Sequence, residues 1–249
     1  MRLHNAKTYC PVCGTFDVEF ISLPDFYRQQ AQANGFVHFG RGEMTAHETY
    51  SCAICGASDR ERLYAYWLRR ELSRGNVGGA AIHFAPEQAL SKYLKAQDLL
   101  DEYKTADLHM AGVDYQVDLM NLPFEDNRFD FFICSHVLEH VQDDGRALKE
   151  LLRIMKPGGR GILMAPIIVG LSATIEDPTA KSDAERWRLF GQNDHVRLYA
   201  HDDYVCRLER SGFLVHQYDE NHFGAGVFKR LGLKSTSILY IVTRPDRTR

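Results

Sequence analysis

Between residues 80 and 166 short apolar runs alternate with segments whose apolar residues recur at helical spacing. The run at 80–84 reads as a buried strand, and 87–100 as a helix with Leu90, Leu94 and Leu99 on its apolar face. A second strand at 103–108 ends in an acid, Asp107, and a short third one at 114–117 precedes Asp118. A fourth covers 129–134. Ala147, Leu148, Leu151, Leu152 and Met155 then mark a helix that should stop at Pro157-Gly158-Gly159, before a fifth strand at 161–166. Strands separated by helices predict βαβ units, a parallel sheet and right-handed crossovers. Ligands on such a sheet bind beyond the carboxyl ends of the strands, at the topological switch point.

The flanks read differently. Ser58-Asp59-Arg60-Glu61 is a capping box opening a helix at 59–73, with Leu63, Trp67 and Leu68 at helical spacing. Arg74-Gly75-Asn76-Val77-Gly78-Gly79 breaks it and marks a domain edge. After the fifth strand, 167–200 reads as irregular and polar. A helix at 202–211 closed by Gly212 follows, then strands at 214–218 and 238–242 joined by a glycine-rich loop at 224–232. The expected organisation is a ribbon region with an insertion at 1–58, a linking helix and linker at 59–76, and one α/β domain at 77–249. The chain has no internal repeat or low-complexity tract.

Charge and cysteine usage narrow the picture. The 249 residues carry 30 basic and 33 acidic side chains, a formal charge of -3, so the chain lacks a polybasic footprint overall. No apolar run, that around 129–134 included, approaches the ~20 residues that span a bilayer. Residues 1–5 show no apolar signal region, so a cytoplasmic, reducing location is expected. Four of the six cysteines form two pairs, Cys10-Pro11-Val12-Cys13-Gly14 and Cys52-Ala53-Ile54-Cys55-Gly56. Two intervening residues let both thiolates face one ion, and the glycine permits the turn that aims backbone N–H groups at sulfur. A redox CxxC should occur once, between a strand and a helix, so the two pairs read as ligands of one structural Zn²⁺. Cys134 and Cys206 read as packed thiols. Residues 1–58 hold four basic against five acidic side chains, which argues against a nucleic-acid module. The basic end, six Arg/Lys against one Asp over 227–249, reads as a solvated tail.

Four ordered blocks then resemble class I S-adenosylmethionine-dependent methyltransferases. They are Asp118-Leu119-Met120-Asn121-Leu122-Pro123-Phe124, Phe129-Asp130, Ser135-His136-Val137-Leu138-Glu139-His140-Val141 and Lys156-Pro157-Gly158-Gly159. The chain also resembles a subgroup with an N-terminal zinc ribbon, an Ile82-His83-Phe84-Ala85-Pro86-Glu87 segment and a downstream run from Gly191 to Tyr199. The resemblance implies a Rossmann-like seven-stranded sheet with an antiparallel last strand. It implies S-adenosylmethionine as cofactor, with Asp107 on the ribose diol and Asp118 with Leu119 beside the adenine. His83, Phe84, Ala85 and Glu87 would approach its amino-acid end, and Ser135 and His136 would border it. The usual glycine-rich turn is here His83-Phe84-Ala85-Pro86-Glu87, and His83 stands where the family has an acid. Either the loop is a modified cradle, or binding has decayed, or the fold takes another ligand.

Loops after strand five carry acceptor contacts in that fold. His195, with Asp194 adjacent, is the candidate general base, since a neutral imidazole suits the proton of an acceptor hydroxyl. Arg197, Tyr199 and Glu176 are candidate acceptor contacts. The competing view of this loop is a purely structural polar segment. The expected reaction is methyl transfer to a hydroxyl of a small-molecule or glycan-like acceptor. The rivals are an RNA or protein methyltransferase that uses the ribbon and basic tail, and a non-catalytic binding protein on the same fold.

Overall fold

A computed structural model describes residues 7–97 and 100–246. The reading of residues 1–5, the placement of Leu99 and the last three residues of the basic end lie outside the described residues. The N-terminal region consists of β1 (Tyr9–Cys10), β2 (Thr15–Phe16), β3 (Phe20–Ile21), α1 (Asp25–Ala33) and β4 (Ser51–Cys52). β1 pairs with β2 and β3 with β4, each antiparallel, and α1 lies in the insertion between the two cysteine pairs.

Next comes α2 (Asp59–Ser73), opened by the expected capping box: Ser58 Oγ accepts from Glu61 N–H, and Ser58 N–H donates to the Glu61 carboxylate. The domain proper runs β5 (Ala80–Phe84), α3 (Gln88–Lys95), β6 (Glu102–Asp107), β7 (Tyr115–Gln116), β8 (Phe129–Ser135), α4 (Asp144–Ile154) and β9 (Met155–Met164). It continues with β10 (Ile175–Glu176), α5 (Asp183–Phe190), β11 (Arg197–Leu198), α6 (His201–Arg210), β12 (Leu214–Tyr218), α7 (Glu220–Phe223), α8 (Ala225–Leu231) and β13 (Leu239–Thr243).

Seven strands form one sheet in the order β12-β13-β9-β8-β5-β6-β7. β7, β6, β5, β8 and β9 run parallel, while β13 lies antiparallel to both β9 and β12, as the resemblance implied. β5 is buried along its whole length and β8 nearly so, which suits central strands covered on both faces. Gly161 lets β9 cross the Phe132 ring, since a Cβ there would meet it at 2.6 Å. The chain leaves β5 outward through β6 and β7, then returns to β8, so the order reverses between β5 and β8.

Three expectations need correction. The fifth strand starts at Met155, because α4 ends in extended backbone at that residue and Pro157-Gly158-Gly159 lie within the strand. The stretch 167–200 holds α5, opened by a second capping box from Ser182 to Glu185, and the β10–β11 pair. The loop at 224–232 is largely helical: α8 buries Phe228 and Leu231, and Gly232 closes it in a left-handed conformation. Cys134 is fully buried in β8 and Cys206 half-buried on α6. Among the described residues no helix is long and apolar enough to cross a membrane.

Arg62 ties the N-terminal region to the domain. Its guanidinium is fully buried, lies over the Phe20 ring, and donates to the carbonyls of Tyr50 and Ala57 on one side and Leu231 on the other. Glu43 makes a second tie: the Tyr240 hydroxyl donates to its carboxylate at 2.8 Å, and Thr236 donates to its carbonyl.

Candidate functional site

The two cysteine pairs fold as twin turns, in which Gly14 N–H donates to Cys10 O and Gly56 N–H to Cys52 O. Both glycines sit at φ +75°, where a side chain would be strained. The turns bring all four sulfurs within 4.8 Å of one another, with Cys10–Cys55 at 3.7 Å and Cys13–Cys52 at 3.9 Å. A tetrahedron with metal–sulfur bonds of 2.3 Å has edges of about 3.8 Å. Burial and the neighbouring thiols push the Cys55 thiol up to about 11, and Cys10 higher still, so an ion-free cluster of thiolates is disfavoured.

At the switch point lies a cleft of about 540 Å³. Phe84, Ala85, Asp107, Asp118, Leu119 and His136 line it, six of the residues expected at a cofactor. Ala85 and His136, just beyond the ends of β5 and β8, both take positive φ, +48° and +55°. Non-glycine residues hold that conformation only where the surroundings fix it. Here Ala85 N–H donates to Ala106 O and His136 N–H to Met164 O, each curling the backbone back over a neighbouring strand. Asp107 Oδ1 accepts from the backbone N–H groups of His109 and Met110, whereas Oδ2 takes no such bond among the described residues. Asp118 is oriented similarly by Met120 N–H.

His83, Glu87 and Ser135 do not line this cleft. They are buried or nearly so, and packed behind it. His83 Nε2 lies 2.8 Å from Glu87 and Nδ1 lies 2.8 Å from the Tyr103 hydroxyl. One neutral tautomer satisfies both, with Nε2–H donating to the carboxylate and the tyrosine donating to Nδ1. Burial works to raise the Glu87 carboxyl, but the His83 hydrogen bond and the Arg60 charge outweigh it and hold it at about 2. Ser135 pairs with the buried Tyr64 hydroxyl at 3.1 Å.

A second cleft, of about 400 Å³, lies between the insertion and the sheet. One wall comes from residues 23–50, among them Tyr27, Phe36, Phe39 and His47; the other holds His136, Glu139, His140 and His195. His136 and His140 line both clefts, so the two chambers share a wall. Glu139 is fully buried, 3.4 Å from His136 Nδ1 and 3.9 Å from His140 Nε2. Burial raises its carboxyl, but the flanking histidines prevail and hold it at about 2. His195 is buried, its ring 4.7 Å from and nearly perpendicular to that of His140. Burial lowers its pKa despite Glu139, leaving a neutral imidazole. Asp194 is exposed and sits 3.2 Å from His140 Nδ1, so its partner is His140 rather than His195.

Arg197, Tyr199 and Glu176 have other tasks than the acceptor contacts expected of them. The Arg197 guanidinium is buried and donates to the carbonyls of Leu138, Val141 and Gln142, while its Nε donates to Glu176 at 2.7 Å. It therefore braces the His136–Gln142 turn from behind. The Tyr199 hydroxyl is buried on Asp144, and Glu176 also pairs with Arg207. Arg60 was legible only as part of a helix cap, yet it lines the second cleft, with its Nε 3.7 Å from Glu87 and without a hydrogen-bond partner among the described residues. The aromatic and histidine residues of the insertion went unread for the same reason: their meeting with residue 195 is tertiary and leaves no local pattern.

Residues 77–163 match the family described as a methyltransferase domain. Over 95 residues the chain is 33% identical to the Escherichia coli K12 protein YafE, covering 38% of this chain and 43% of that one. Over 124 residues it is 29% identical to the ubiquinone/menaquinone biosynthesis C-methyltransferase UbiE of Haemophilus ducreyi, covering 42% and 45%. The chain thus spans less than half the length of these curated relatives. A solved S-adenosylmethionine-dependent methyltransferase from Mesorhizobium loti aligns with a TM-score of 0.43 at 17% identity, over 71% of this chain and 97% of that one. Residues 77–163 are thus similar to a methyltransferase domain.

Proposed function

We propose that this domain transfers a methyl group from S-adenosylmethionine to an oxygen of a small polar acceptor held in the second cleft. The observation that carries the reading is the shared wall: His136 and His140 border both chambers, so a donor in one and an acceptor in the other meet there. Asp107 Oδ2 would accept from the ribose hydroxyls, Asp118 and Leu119 would flank the adenine, and the raised backbone at Ala85 and His136 would receive the amino-acid end. The cofactor supplies a methyl on a sulfonium. His195 Nε2, neutral and unpartnered, takes the acceptor proton. The acceptor oxygen then bonds the methyl carbon, and the carbon–sulfur electron pair stays on sulfur. Arg60 supplies a cation for an acidic acceptor, the task expected of Arg197. The cleft suits one small molecule or sugar unit, and the charge of -3 does not favour nucleic acid. The four cysteines would hold a structural Zn²⁺ that anchors the 1–58 region, whose insertion walls the acceptor chamber.

Calorimetry with S-adenosylhomocysteine tests the donor half. Wild type should bind, and Asp107→Ala should bind roughly tenfold to a hundredfold more weakly, the cost of about 1–3 kcal/mol for ribose hydroxyls left unpaired. Equal binding by both would overturn the placement. For the acceptor half, a panel of hydroxylated acids and sugars is assayed for methyl uptake. His195→Ala should keep cofactor affinity and lose about 10²–10⁴ in turnover. Steeply salt-dependent RNA binding would instead support a macromolecular acceptor.

A further inference from the structure

Glu139, His140 and His195 each offer a donor atom within 4.8 Å of the other two. Glu139 is fully buried with His136 Nδ1 3.4 Å from one oxygen, yet among the described residues neither carboxylate oxygen has a hydrogen-bond partner of good geometry, and His195 Nε2 has none either. A buried carboxylate left in that state is costly unless a charge meets it. The far sides of both rings are occupied. His195 Nδ1 lies 3.2 Å from the Phe190 carbonyl and His140 Nδ1 3.2 Å from the Asp194 carboxylate. The Phe190 carbonyl takes the proton of His195 Nδ1 and leaves the lone pair on Nε2, and the Asp194 carboxylate faces Nδ1 rather than Nε2 of His140.

We infer that Glu139, His140 and His195 form a second metal centre, a site for a divalent transition cation such as Zn²⁺, in the acceptor-cleft wall. Two imidazole nitrogens and one carboxylate oxygen suit zinc or iron, whereas calcium and magnesium prefer all-oxygen sites. Metal-bound histidines characteristically donate their other N–H to a carboxylate or a carbonyl, and Asp194 and Phe190 provide one of each. The 3.9 Å between His140 Nε2 and Glu139 needs to shrink by only a few tenths of an ångström for ligand bonds of about 2.1 Å. Three protein ligands leave a coordination position, and all three residues line the second cleft. That position would take an oxygen of the acceptor, with Arg60 near its anionic end; this substrate assignment rests on the methyl-transfer reading, whereas the metal centre does not. A nitrogen that holds a cation takes no proton, so in the loaded protein the cation would lower the pKa of the acceptor hydroxyl and its proton would pass to solvent water in the cleft rather than to His195.

The test is a metal count on the whole chain, loaded with Zn²⁺, desalted and read by mass spectrometry. Wild type should hold two zinc ions, and Glu139→Gln and His195→Gln one each. Asp194→Asn changes an exposed side chain that touches no ligand atom, and it should weaken the second zinc tenfold to a hundredfold in a chelator competition. One zinc in saturated wild type, or two held with unchanged affinity in all three variants, overturns the site. S-adenosylhomocysteine binding is measured on the same samples. Two zinc ions without cofactor binding would sink the methyl-transfer reading and leave the metal centre; one zinc with normal cofactor binding would do the reverse.

Discussion

Glu87, packed behind the first cleft, shows how the pairing of a single residue makes the fold sensitive to acid. His83 and Arg60 hold its carboxyl at about 2, well below an unfolded glutamate. A group depressed in the folded state contributes stability above its unfolded value and loses it as pH falls through the folded one. The window is therefore pH 4.5 down to 2, and the contribution is on the order of 3 kcal/mol at most. Thermal melts across that range should show wild type losing stability steeply, while Glu87→Gln starts lower at pH 7 and loses less. Parallel pH profiles for the two proteins would refute the assignment. In the sequence, Glu87 read as a cofactor contact because it follows an atypical first turn. Its partners His83 and Arg60 come from β5 and α2, and His83 is held in turn by Tyr103 of β6, so its role behind the cleft had no local sign.

Elements with one dominant signal were the legible ones. β5 and β8 are mainly apolar runs, interrupted by His83 and Asp130, and the Ser58–Glu61 box announced α2 to the residue. β9 was shortened because Pro157-Gly158-Gly159 carries the local signature of a stop, which pairing with β8 and β13 overrides. α8 was hidden by Gly224, Gly226 and Gly232, and α5 by a face that buries only Phe190. The same limit applies to Arg62, which lay within the predicted linking helix with nothing to mark its depth. Its guanidinium joins α2, the ribbon and the end of α8 through their carbonyls. Arg62→Met leaves those carbonyls buried and unmet, so a loss of about 1–3 kcal/mol is expected. Chemical denaturation would measure it, and a loss under 1 kcal/mol would show the staple to be slack.

At the scale of the whole molecule, the N-terminal region supplies one wall of the second cleft, the proposed acceptor chamber, and the sheet side supplies the other. Cys52→Ala should therefore lose the ribbon zinc and lower the melting temperature. It should leave S-adenosylhomocysteine affinity nearly intact and raise KM for the acceptor. Retained zinc and an unchanged melt would contradict this. An ion bridging Cys13 and Cys52 closes a loop with 38 residues between its ends, a restriction worth about 4 kcal/mol by the chain-entropy relation for cross-links. That restriction would fall on the segment bearing Phe36, Phe39 and His47, which the ion would order before any acceptor arrives. Zinc and acceptor then become reciprocal effectors: whatever factor the ion adds to acceptor affinity, a bound acceptor must add to the protein's hold on zinc. A saturating acceptor should protect the ribbon from chelators, although it never touches sulfur.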